Sequence, residues 1–259
     1  MAARQFTVLT LFPELVVPFF DHGIISRAVA KGIIIGTAVN LRNFTKDRHA
    51  TVDDRPYGGG CGMVMKPEPL ALAINSARKR SADSDSSSRV ILMTPQGRKF
   101  DQALALDLAA GAEDLIFVCG RYEGIDERVC QSFVDDEISI GDYVMTGGEL
   151  AAMVIIDAVT RLMPGALGGE DSAEQDSFRD DRLEYAQFTR PPVFESMEVP
   201  AILLSGDHGK IERWRKSSAL KRTFLNRPDL FNRRALDDEE KNILKSWRQE
   251  IGELIGGRD

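Results

Sequence analysis

Apolar positions along the chain alternate between two periods, and the alternation predicts most of its elements. "FTVLTLF" (6–12) is a short, nearly continuous apolar run that reads as a buried strand ended by Pro13, and "TAVNLRNF" (37–44) reads as a second strand, with helical pattern between them. Beyond the loop "DDRPYGGGCGMVMKPEP" (53–69) the spacing predicts a helix near 68–80. A strand at 89–94, a helix over 100–110, a strand at 114–120, a helix over 125–133 and a strand at 137–144 follow. A long helix over 148–163 stops at Pro164-Gly165, and helical pattern returns over 208–222 and 237–255. Strands alternating with helices need crossover connections, so the fold class expected is α/β with a parallel sheet. Two stretches carry no period. "SADSDSSS" (81–88) reads as a mobile surface loop without chemistry, and the acidic "GALGGEDSAEQDSFRDD" (165–181) as a linker or a mobile functional loop.

With 259 residues, 43% of them apolar, the chain can hold one large domain and a small one. It contains no run of about 18 apolar residues and no leader pattern at its start, so a cytoplasmic protein is expected. Cys61, Cys119 and Cys130 are odd in number and form no C-x-x-C pair, while His22, His49 and His208 are scattered, so neither a disulfide framework nor a metal site is expected. The formal net charge of −7 opposes bulk affinity for nucleic acid. One local patch runs against it: residues 208–222 hold Lys210, Arg213, Arg215, Lys216, Lys221 and Arg222 against Glu212.

Three consecutive strands each run into a glycine-bearing turn, at 93–97, 120–124 and 140–148. In an open parallel sheet these turns lie together at the carboxyl edge, where ligands bind, and glycines let main chain approach a flat heterocycle. The plainer reading is that the glycines only make tight turns. No G-x-G-x-x-G follows the first strand and no G-x-x-x-x-G-K-[ST] occurs, so the phosphate cradles of dinucleotide and P-loop proteins are missing. On the helix after the third turn, Glu149, Asp157 and Arg161 are spaced to share one stripe; Arg161 then either faces a ligand oxygen or pairs with Asp157 at i,i+4.

With those residues laid out, the chain resembles the bacterial tRNA (guanine-N1)-methyltransferases of the SPOUT class over nearly its whole length. The resemblance rests on "LFPE" (11–14), residues 53–69, "TPQGRKF" (94–100), "CGRYEGIDERV" (119–129), residues 137–165, "SAEQDSF" (172–178), "FTRP" (188–191), "VPAILLSGDHGKIERWR" (199–215) and "RPDL" (227–230), with Met145 and Phe188 as mild departures. It implies a SPOUT-type parallel sheet with a deep trefoil knot over 1–168, a flexible linker over 169–187 and a small helical tRNA-binding domain over 188–259. It also implies methyl transfer from S-adenosylmethionine to nitrogen 1 of guanosine 37 of tRNA. Main chain at Ile140, Gly141, Tyr143 and Met145 would hold the adenine, and Gly120 and Tyr122 would lie near the ribose and methionine. Leu92, Thr94, Pro95, Gln96, Arg121, Asp142, Val144, Gly147 and Gly148 would complete the cofactor site. Glu123 would lie beside the methionine and target base, Asp176 would be the general base, and Arg161 the cation supporting the guanine oxygen. Lys210, Arg213, Arg215 and Lys216 would contact tRNA. The resemblance further implies a homodimer with shared active sites and associates Mg²⁺ with the reaction; it implies neither DNA nor a membrane as partner. Two other readings stay open: an enzyme of the same class acting on another RNA position, against which "SAEQDSF" speaks, and an RNA-binding module without activity.

Overall fold

A computed structural model describes residues 3–83, 86–168, 176–178, 180–233 and 235–256. The chain divides into two compact units, Met1–Glu170 and Asp171–Asp259. The first runs β1 (Arg4–Thr10), α1 (Pro13–Val16), α2 (Gly23–Ala30), β2 (Ile34–Asn40), β3 (Asp53–Asp54), β4 (Val64–Met65), α3 (Pro67–Asp83), β5 (Ser88–Lys99), α4 (Gln102–Ala110), β6 (Asp114–Cys119), α5 (Glu127–Phe133), β7 (Asp136–Ser139) and α6 (Glu149–Thr160). Among the described residues the main sheet is ordered β2-β1-β6-β5-β7, and every pairing in it is parallel. β6 is buried along its full length, as a strand covered on both faces must be. One layer of core gathers Phe6, Ile91, Phe117, Ala152 and Ile156, and the other gathers Leu9, Leu70, Ile74, Val90 and Val118. Helices therefore cover both faces, and the carboxyl ends of β5, β6 and β7 emerge side by side.

β1 lies two residues upstream of the expected 6–12, and three other strands differ from expectation, each for a local reason. The second lies upstream of 37–44 because the Asn40 side chain accepts the Arg42 N–H at 2.9 Å and closes Leu41–Phe44 into a 3-10 turn. Gly36 sits inside that strand because the Phe20 ring fills the space its Cβ would need. β5 extends past 94 to Lys99: Met93 and Arg98 both pair with Ile138, so Thr94–Gly97 loop out between two paired stretches. The last strand ends at Ser139, whose hydroxyl donates to Gly141 O at 3.0 Å and turns the chain early. α6 is also shorter than 148–163. Within the polar stretch 81–88, residues 81–83 finish α3 and Ser88 opens β5; residues 84–85 lie outside the described part.

The second unit contains β8 (Val193–Phe194) paired with β9 (Met197–Glu198), then α7 (His208–Asn226) and α8 (Asp238–Gly256). Residues 169–175 and 179 of the expected linker lie outside the described residues. Its later part is tied down: Leu183 N donates to Thr223 Oγ1 at 2.9 Å and Ala186 N to Ser218 Oγ at 3.0 Å, both on α7.

Candidate functional site

The ends of β5, β6 and β7 enclose a cavity of about 410 Å³ in the first unit, within the usual range for a small-ligand pocket. Thr94, Pro95 and Gln96 form one wall, Gly120–Glu123 a second, and Ile140, Gly141, Tyr143–Gly148 the third. The second wall is zipped to the glycine-rich loop ahead of it. Glu123 N donates to Met63 O, Met65 N to Gly124 O and Asp126 N to Met65 O, each at 3.0 Å. Between β3 and β4, Gly58, Gly59, Gly60 and Gly62 all take positive φ, which glycine adopts freely. The Gly62 Cβ position is 2.4 Å from Glu123 Oε1, so this loop lies directly against the Glu123 carboxylate. Tyr122 is half exposed and holds φ 60°, a rare conformation for a residue with a side chain.

Behind these walls lies a buried ion pair. Glu149, the first residue of α6 and 1% exposed, accepts from Arg121 Nη2 at 2.9 Å, from Arg121 Nε at 3.3 Å and from the Thr10 hydroxyl at 2.7 Å. The Arg121 guanidinium also lies 4.5 Å over the Phe12 ring. Burial, with the Glu149 charge beside it, pushes the Cys119 thiol well above its ordinary pKa. Burial, and then Glu127 and Glu137, push Cys130 up to about 11.

Every expected cofactor residue except Asp142 lines the cavity, together with Glu123. Asp142 points away, with its carboxylate almost fully exposed and 3.7 Å from Lys99 Nζ. Arg121 lines the cavity while its guanidinium is engaged by Glu149. Arg161 does not line it: as the C-cap of α6 it lies ten residues beyond the lining residue Ala151, about 15 Å along the helix. The expected polar stripe does not form, because Glu149 is buried and Asp157 exposed; eight residues turn a helix by about 80° from the starting face. Asp176 belongs to the second unit, where it lines a polar cleft of about 730 Å³ with Arg213, Arg215 and Lys216.

The basic residues of α7 do not form one free patch. Lys216 Nζ is held by Glu239 at 2.6 Å and Asp237 at 2.9 Å; burial opposes its charge, but these carboxylates outweigh it and raise its pKa. Arg215 lies 4.9 Å over the Tyr185 ring and 3.8 Å from Glu212, Lys210 is 3.1 Å from Asp207, and Arg213 is exposed. Among the described residues no group of three or more His, Cys, Asp or Glu is arranged to hold a metal ion. No described helix is long and apolar enough to cross a membrane.

The sequence reading missed Glu127, Cys130, Glu137 and Ser139 in the cavity wall, because it confined the site to the turns and left out the residues flanking them. It also missed the Thr10–Glu149 contact. The one available signal was a carboxylate opening the otherwise apolar run "ELAAMVII".

The family model described as tRNA (Guanine-1)-methyltransferase TrmD matches residues 4–233. Among curated proteins, the chain is similar to the tRNA (guanine-N(1)-)-methyltransferase of Desulfatibacillum aliphaticivorans, 56% identical over 251 residues that cover 97% of this chain and 94% of the relative. It is 54% identical to the enzyme of that name from Syntrophotalea carbinolica over 245 residues, covering 95% and 97% of the two chains. The Pseudomonas putida enzyme is 53% identical over 250 residues, covering 96% and 98%.

Proposed function

The chain belongs to the tRNA (guanine-1)-methyltransferase family, and from that premise we propose that it methylates nitrogen 1 of guanosine 37 in tRNA, using S-adenosylmethionine. The observation that carries the reading is the meeting of three glycine-bearing loops around one cavity. These walls suit a donor that carries a flat heterocycle and, as the family resemblance has it, binds bent. Side chains at Gly141, Gly147 and Gly148 would collide with the Tyr143 ring, the Arg121 guanidinium and Met93, so the close packing of the three loops requires glycine there. In this reading the threading of the three loops is a deep trefoil knot.

The bound donor supplies a methyl already made electrophilic by its sulfonium. What remains for the protein is position and charge. Main chain at Ile140, Gly141, Tyr143 and Met145 reads the adenine edge, while Gly120 and Tyr122 flank the ribose and methionine. Glu123 faces the guanine from the cavity wall. Nitrogen 1 of guanine carries a proton, so a base must take it; Asp176 has that role, and Arg161 supports the charge that develops on the neighbouring oxygen. The same reading includes a homodimer in which each cleft is completed by the second copy. The second unit binds tRNA, with Arg213 exposed on α7 for a phosphate contact. No step is assigned to Mg²⁺, and the site of action is the cytoplasm.

The test is labelled methyl transfer from S-adenosylmethionine to unmodified tRNA with and without guanosine at position 37. Label recovered as 1-methylguanosine only from the first substrate is expected. Equal labelling of both would assign another position.

A further inference from the structure

The ion pair behind the cleft does more than neutralise two charges. Its three members come from three separate segments: Thr10 from the end of β1, Arg121 from the second loop and Glu149 from the start of α6. The Thr10 hydroxyl donates to Glu149 and accepts the Phe12 N–H at 2.9 Å, so it also shapes the turn after β1 that brings the Phe12 ring beneath the guanidinium. Directly above, the second and third walls meet: Gly148 N donates to Gly120 O at 3.2 Å, and Arg121 forms a backbone bridge with Gly147. A Cβ on Gly147 would lie 2.2 Å from Arg121 Nε and 2.5 Å from Glu149 Oε2. The Gly147 main chain therefore rests on the ion pair, and the height of that wall is set by it.

We propose that Thr10, Arg121 and Glu149 are positioning residues that form a brace, fixing the cleft width where the second and third loops meet and thereby setting affinity for the methyl donor. The inference rests on the reading of the cleft as the S-adenosylmethionine site. It reassigns Arg121, whose Nε and Nη2 are both engaged by Glu149, from a cofactor contact to a support. It also gives the "LFPE" segment a task.

The test is calorimetric affinity for S-adenosylmethionine in the full-length protein, with folding checked by near-UV circular dichroism. Arg121→Met and Glu149→Leu should each raise Kd by about tenfold or more, since each leaves its partner buried and unpaired. The double variant should return to within about threefold of wild type, because a well-packed apolar pair can replace a buried ion pair. A direct cofactor contact gives a different pattern: Arg121→Met weakens binding, Glu149→Leu does not, and the double variant is no better than Arg121→Met. That result would overturn the brace. Should the charged-pair variants fail to fold, Thr10 decides alone: Thr10→Val should raise Kd severalfold, in keeping with a lost hydrogen bond to a charged group, and Thr10→Ser should not. Equal affinities for those two would also overturn it. Failure of the wild-type protein to bind S-adenosylmethionine would instead sink the reading of the cleft.

Discussion

Gly148→Ala probes the convergence of the three loops with a single methyl group. Gly148 has φ −83° and ψ −7°, a conformation open to any residue, so space and not backbone freedom requires glycine there. An added Cβ would lie 2.8 Å from Met93 Cβ, 2.9 Å from Cys119 Cα and 3.3 Å from Cys119 Cβ. Carbon atoms pack best at roughly 3.5–4.0 Å, so the start of α6 and the ends of β5 and β6 must part by about 0.6–1.2 Å. Overpacking of this kind costs about 1–3 kcal/mol. At about 2–4 °C per kcal/mol for a domain of this size, the melting midpoint should fall by roughly 2–12 °C. The same displacement opens the Gly120–Gly148 contact, and misplacement approaching 1 Å should raise Kd for S-adenosylmethionine by about tenfold or more. The assay is thermal unfolding with calorimetric titration, run beside Gly168→Ala, whose added Cβ would meet nothing within 4 Å. A Gly148→Ala protein that matches the control in both melting and affinity would refute the reasoning.

Lys216→Ala should lower the melting midpoint, because it strips the shared partner from Asp237 and Glu239, whereas Arg213→Ala should leave melting alone. Arg213→Ala should instead weaken tRNA binding and reduce its salt slope by about one, as filter binding across a salt series would show. Thiol labelling of the native protein at pH 8, read by peptide mass mapping, should modify Cys61 and spare Cys119 and Cys130. Cys61 is exposed and Cys119 buried, and a thiol with a pKa of about 11 is only about one part in a thousand thiolate at that pH. Mixing Asp176→Ala with Gly141→Val subunits should restore about a quarter of wild-type activity, since half the dimers are mixed and each has one intact site. No recovery despite measured subunit exchange would count against sharing.

The sheet was legible because β1, β5 and β6 each hold a compact, mostly apolar run, at Phe6–Leu9, Val90–Met93 and Leu115–Cys119, and the outward loop within β5 and the turns after β6 and β7 each carry glycine. Strand ends were less legible, since they depend on side chains returning to the backbone: Asn40 onto Arg42 and Ser139 around Gly141. The outward loop at Thr94–Gly97 is a tertiary feature. Gly97 lies where a Cβ would be 2.3 Å from the Glu137 carbonyl carbon, a crossing that no local period encodes. In the site, turn glycines announced the three walls. The Thr10–Glu149 contact spans 139 residues, and its one local trace is the carboxylate that opens an otherwise apolar helix. The pairing of Lys216 was hidden for the same reason: the carboxylates that hold it lie on and just before α8, more than twenty residues away.

The most direct test of the account is the single-turnover rate of 1-methylguanosine formation by wild-type and Asp176→Ala protein at saturating S-adenosylmethionine and tRNA. Loss of a general base predicts a fall of about 10²–10⁴ in that rate, with cofactor affinity unchanged because the three loops are intact. A fall below about tenfold would contradict the role of Asp176 as the base.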